Sequence, residues 1–175
     1  MQQLGGPADD IGRGIALSGG AIFLTGQSKS GWLGSPATVQ GGDDMFVARL
    51  DAEDGALHWL QLLGAPGDDC GHGIAVRGDD IMITGVASGQ LPSRGVWAGG
   101  TDIMLVRYSK QGERRGVWQT GRDGADGGRA LAFAGDTLFL TGYVHGGLFE
   151  AAAPPVGSDL FVALYNVSRG LCGDG

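Results

Sequence analysis

The chain has 175 residues, 42% of them hydrophobic, 36 glycines and a formal net charge of −7 at pH 7. The apolar share supports a packed interior and argues against disorder, glycine without a Gly-X-Y period excludes collagen, and acidity without a basic stripe excludes nucleic acid as a partner. No run approaches the roughly 18 to 20 apolar residues that span a bilayer, so no membrane insertion is expected, and the start MQQLGG carries no signal peptide pattern.

The first elements read as loop, strand, hairpin, strand. Gly5 to Gly12 is rich in turn formers, Ile15 to Leu17 is apolar, Ser18-Gly19-Gly20 is a turn, and Ala21 to Thr25 is apolar again. A long polar loop, 27 to 43, leads to a third strand at Asp44 to Asp51, a Gly55 turn and a fourth strand at Ala56 to Leu63. The next stretch repeats this plan: opening loop 64 to 72, strands at Ile74 to Val76 and Ile81 to Thr84, long loop 86 to 101, strands at Ile103 to Tyr108 and Gly116 to Thr120. A third pass gives an opening loop 121 to 129, strands at Ala130 to Phe133 and Thr137 to Thr141, long loop 143 to 158 and a strand at Leu160 to Tyr165. No fourth strand is read after it, since the sequence there is Leu171-Cys172-Gly173-Asp174-Gly175.

Two unrelated motifs keep one beat. Asp44-Met-Phe-Val returns as Asp102-Ile-Met-Leu and Asp159-Leu-Phe-Val, while Thr25-Gly26 returns as Thr84-Gly85 and Thr141-Gly142; Trp59 recurs as Trp118. A repeat of more than fifty residues that holds four short meandering strands predicts an all-β fold, the β-propeller, built of four-stranded antiparallel blades. Three blades are expected, at about 5–63, 64–120 and 121–175. Propellers close with four to eight blades, so this arc is expected to be completed by further propeller blades or by self-association. Cys70 aligns with Ile11 and Gly127 and is read as a small buried hydrophobe.

The repeat residues carry a resemblance. Asp10, Ile15, Ala16, Thr25, Gly26, Asp44, Phe46, Val47, Leu50, Gly55 and Trp59, with their counterparts in the later units, resemble the bacterial β-propeller repeat family labelled SBBP. The resemblance implies a secreted or cell-surface bacterial protein, extracellular or in the cell envelope, without an enzymatic role. Asp51 to Trp59 also resembles the docking motif of quinoprotein dehydrogenase blades, but Asp54 stands where that motif has threonine, and no cofactor is expected.

Meander connectivity puts the opening loops and the long loops on one face, where rigid scaffolds generally bind. Each long loop carries an aromatic residue, Trp32, Trp97 and Phe149, able to stack on a sugar or anchor a protein; the competing reading makes each a local lid tucked onto its own blade. Asp9, Asp10, Asp68, Asp69 and Asp126 on the opening loops are candidate Ca²⁺ ligands; the competing reading makes them turn anchors that accept backbone N–H bonds. No nucleophile elbow, phosphate loop or metal triad is present in the sequence. The expectation is a non-catalytic binding scaffold, the alternative being part of a propeller hydrolase or lyase whose active site further blades complete.

Overall fold

The structure, a computed structural model, describes residues 2–31, 39–146 and 157–167. Among them are eleven β-strands and no α-helix. The first sheet has the order β1 (Asp10–Ser18), β2 (Ala21–Ser28), β3 (Asp44–Asp51) and β4 (Leu57–Leu63), and the second has β5 (Cys70–Arg77), β6 (Asp80–Ala87), β7 (Asp102–Ser109) and β8 (Arg114–Thr120). The third has three strands among the described residues: β9 (Gly127–Ala134), β10 (Thr137–His145) and β11 (Ser158–Asn166). Every strand pairs antiparallel with its neighbour in sequence. The opening hairpin of each sheet turns on a glycine in the left-handed region, Gly19 (φ 59°), Gly78 (φ 57°) and Gly135 (φ 57°), the conformation a two-residue hairpin needs.

The three sheets pack face against face. Phe23, Met45 and Val47 of the first meet Ile74, Ile81, Ile83, Met104, Val106 and Tyr108 of the second in one buried cluster. On the second sheet's other face, Met82 and Leu105 pack against Leu138, Leu131 and Phe133, and Ile103 against Leu140 and Phe161. Each such side chain taken from water contributes about 2 kcal/mol, so these interfaces dominate the stability.

The Thr-Gly pairs differ from their expected place at strand ends. They lie inside β2, β6 and β10, each of which runs on for two or more residues. The threonine hydroxyl donates across to the next strand: Thr25 Oγ1 to the Phe46 carbonyl at 2.8 Å, Thr84 to Met104 at 2.9 Å and Thr141 to Phe161 at 2.7 Å. The following glycine makes room for an irregularity in the first strand. A Cβ on Gly26, Gly85 or Gly142 would overlap the carbonyl oxygen of Ile11, Cys70 or Gly127, beside register shifts between Gly12 and Gly14, Gly71 and Gly73, and Thr141 and Gly142. A bulged strand needs this close backbone approach.

That bulge accounts for a second difference. β1, β5 and β9 begin inside the expected opening loops, because Gly12, Gly71 and Gly128 are strand residues despite their turn-like composition.

The two tryptophans are not equivalent. Trp59 pairs with Arg49, whereas Arg107 pairs with Gly116, and Trp118 lies two residues further on, opposite Leu105. Each still sits at a junction between sheets. Trp59 Nε1 donates to the Lys110 carbonyl of the second sheet at 3.1 Å, and Trp118 packs on the cluster shared by the second and third.

Candidate functional site

The antiparallel order places the β1–β2 and β3–β4 turns at one end of the stack. The opening loops and the β2–β3 and β6–β7 connections lie at the other. That second end holds most of the candidate residues.

Its carboxylates are turn anchors. Asp10 Oδ2 accepts from Gly6 N at 2.7 Å, Asp69 Oδ2 from Ala65 N at 2.6 Å and Asp126 Oδ2 from Arg122 N at 2.6 Å, each closing a loop of the same length. The other oxygen ties the loop to the second strand of its sheet: Asp69 Oδ1 accepts from Ser88 N at 3.0 Å and Asp126 Oδ1 from His145 N at 2.7 Å. Asp68 Oδ1 accepts from Asp43 N at 3.0 Å, and the Asp9 backbone carbonyl accepts from Lys29 N at 3.1 Å. Among the described residues, no three His, Cys, Asp or Glu side chains converge as a metal site.

A second set of carboxylates stands at the ends of the long loops, on the same face. Asp44 Oδ2 accepts from Gln40 N at 2.7 Å, and Asp102 Oδ2 from Ala98 N and Gln119 Nε2 at 3.2 Å each. Both side chains are fully buried, each with its Oδ1 lacking a hydrogen-bond partner among the described residues. Asp44 lies near Asp69 and Asp102 near Asp126, so acid pairs sit at both junctions between sheets. Burial pushes the carboxyls of Asp44 and Asp102 above the ordinary range, and carries Asp69 to about 6, with the charges of Asp44 and Asp68 adding to the rise. The sequence signal for these pairs was present in the repeated aspartate that opens each third strand, but residue type alone cannot reveal burial.

Trp32 and Phe149 lie outside the described residues. Trp97 is described, and 41% of its surface is exposed. Its loop, 88–101, is held from several sides. Gln90 Oε1 accepts from Trp97 N at 2.8 Å, the indole Nε1 donates to the Gly100 carbonyl at 3.2 Å, and Gln119 accepts from Leu91 N while donating to the Gly89 carbonyl. Arg94 exchanges backbone bonds with β8, donating to Val117 and accepting from Gln119. Gln90 and Gln119 have no counterpart in the repeat motif, and the sequence reading missed both.

Next to this loop is an open hollow of 460 Å³ lined by Ala98, Gly121, Arg122, Asp123, His145 and Gly146. A second hollow of 560 Å³ lies between the corresponding loops of the first and second sheets, with Gln40, Pro66, Gln90 and Arg114 on its walls. Of the cysteines, Cys70 is buried and unpaired, and burial raises its thiol above the ordinary value; Cys172 lies outside the described residues. His72 Nδ1 donates to the Gly128 carbonyl, 2.9 Å away, and burial lowers its pKa, so it serves the junction of the second and third sheets.

No helix of the described residues is long and apolar enough to cross a membrane. No family model matches the chain, and no curated protein matches it.

Proposed function

We propose that the chain is a three-blade segment of a β-propeller that acts as a non-catalytic binding scaffold, with its ligand face at the loop end and a saccharide as the class of ligand. The observation that carries this reading is the Trp97 loop. A half-exposed indole is fixed from both its backbone and its ring nitrogen, and the next residue, Ala98, lines a hollow whose walls also include Arg122, Asp123 and His145. A rigid aromatic face stacks on a sugar ring at little entropic cost, and flanking polar groups meet its hydroxyls.

The hydrolase or lyase alternative asks for two carboxylates facing substrate in different environments. Asp69 and Asp126 instead direct both oxygens at backbone amides. The extracellular or envelope location, and kinship with the SBBP repeats, rest on the resemblance of the repeat residues.

The test is a glycan array followed by titration of the best hit with tryptophan fluorescence as readout. Saturable binding is expected, weakened at least about tenfold by Trp97→Ala, a loss of about 1.4 kcal/mol, with the thermal midpoint unchanged. Binding that survives Trp97→Ala, or an array without hits alongside capture of a defined protein ligand, would overturn the saccharide reading.

A further inference from the structure

The two outermost faces of the stack correspond, residue by residue, to the two halves of its internal junctions. Strand pairing makes Met45, Ile103 and Leu160 equivalent, likewise Val47, Leu105 and Val162, and likewise Phe23, Met82 and Phe139. In the first and second sheets these residues are buried under the next sheet, whereas on the third Leu160 is 80% and Val162 58% exposed. At the opposite end, Ile15 is the counterpart of Ile74 and is 65% exposed where Ile74 is 8% exposed, and Leu17 stands exposed in the place of Val76.

Glycine spacing repeats the correspondence. A Cβ on Gly71 would overlap the Thr25 hydroxyl of the preceding sheet, and a Cβ on Gly128 would overlap that of Thr84. Gly12 is their equivalent by strand pairing, and a Cβ there meets nothing within 4 Å. Its missing neighbour has the shape of Thr141, whose sheet ends the stack. Polar geometry follows the same rule. Asp69 N donates to the Asp43 carbonyl at 2.6 Å and Asp126 N to Thr101 at 2.7 Å, and the next members of these two series are Asp10 and Ser158. The acid pairs Asp44 with Asp69 and Asp102 with Asp126 continue as Asp159 with Asp10.

We infer that the outer face of the third sheet docks the outer face of the first sheet on a second copy of this chain, head to tail, repeating the internal junction. Leu160, Val162 and Phe139 of one copy cover Gly12, Ile15 and Leu17 of the other. Such a heterologous contact closes into a ring when its rotation permits, and it removes two apolar faces from water. The inference rests on the packing of the sheets and not on the saccharide reading, so either can fail alone.

Sedimentation equilibrium on the full chain tests it. The wild type is expected at a whole multiple, two or more, of 17.9 kDa. Gly12→Val, whose Cβ meets nothing within 4 Å, and Leu160→Glu, on the opposite face, are each expected at the mass of one chain with their circular dichroism spectra retained. An equimolar mixture of the two variants keeps one intact face of each kind and is expected to recover a two-chain species. A wild type at single-chain mass throughout the concentration range, assembly that survives either substitution, or a mixture that stays at single-chain mass would overturn the inference.

Discussion

Gly85→Ala is expected to destabilise the protein by about 3 kcal/mol or more, the upper range of overpacking effects. The added Cβ would overlap the Cys70 carbonyl oxygen and would also approach the Met104 side chain at 2.9 Å. A methionine tail can move, but the carbonyl belongs to the bulged start of β5, which is pinned between the first and third sheets by Gly71 and Gly73. Relief requires shifting a strand that contributes to two interfaces at once. Gly78→Asn is the control. Gly78 has φ 57° and open space around it, so the asparagine bears only the cost of a left-handed backbone, about 1 kcal/mol. Urea unfolding of both variants measures the difference, and equal midpoints would contradict the role given to the Thr-Gly pair.

The second large effect is on pH dependence. Burial pushes the Asp69 carboxyl up to about 6 in the folded protein, against an ordinary value of 3.8. Between these values the folded state holds the proton that the unfolded state has released. The resulting stability is fully present below pH 3.8 and is lost as pH rises through 6. The whole shift corresponds to about 3 kcal/mol, of which about 1 to 2 kcal/mol falls between pH 5 and pH 7. Asp44 and Asp102 are raised by the same burial and act in the same direction. Asp51 and Asp79 act in the opposite sense: the Glu53 amide and the Arg115 guanidinium lower their carboxyls, and the stability they contribute is lost as pH falls below the ordinary carboxylate range. The thermal midpoint is therefore expected to be higher at pH 5 than at pH 7 and to fall again in stronger acid. Asp69→Asn is expected to flatten the slope between pH 5 and pH 7 while lowering stability at both, because an amide nitrogen then faces a backbone N–H. A wild-type midpoint that rises from pH 5 to pH 7 would contradict the acid-pair assignment.

Much of this architecture was legible because the repeat carries its own alignment. Thr25, Thr84 and Thr141 recur with the aspartates at fixed spacing, and spacing alone predicts three similar units of antiparallel strands. Trp59 and Trp118 misled for the same reason. They recur almost in phase, yet the link between β7 and β8 (110–113) is one residue shorter than that between β3 and β4 (52–56) and Trp118 follows Arg107 one residue later than Trp59 follows Arg49, so Trp118 lies two residues further along its strand, as the pairing of Arg107 with Gly116 shows. Gly12, Gly71 and Gly128 read as loop because glycine favours turns, whereas all three are strand residues, and at Gly71 and Gly128 the missing Cβ lets a bulged strand approach the neighbouring sheet. At the candidate site, the choice between cation ligand and turn anchor depended on where the carboxylates of Asp69 and Asp126 point. Four-residue closures onto Ala65 and Arg122 are decided by backbone geometry that composition does not encode. Trp97 was legible as a loop aromatic, while the Gln90 and Gln119 bonds that fix its loop lie outside the repeat.

The central claim is that the recurrent residues are joints between strands and sheets, so that recognition belongs to the loops between them. Unfolding free energies of Thr25→Val, Thr84→Val and Thr141→Val test it most directly. Each substitution keeps the shape and removes one hydroxyl donor. A loss of about 1 to 3 kcal/mol is expected at Thr25 and Thr84, which are fully buried, and a smaller one at the half-buried Thr141. Three valine variants as stable as the wild type would contradict the claim.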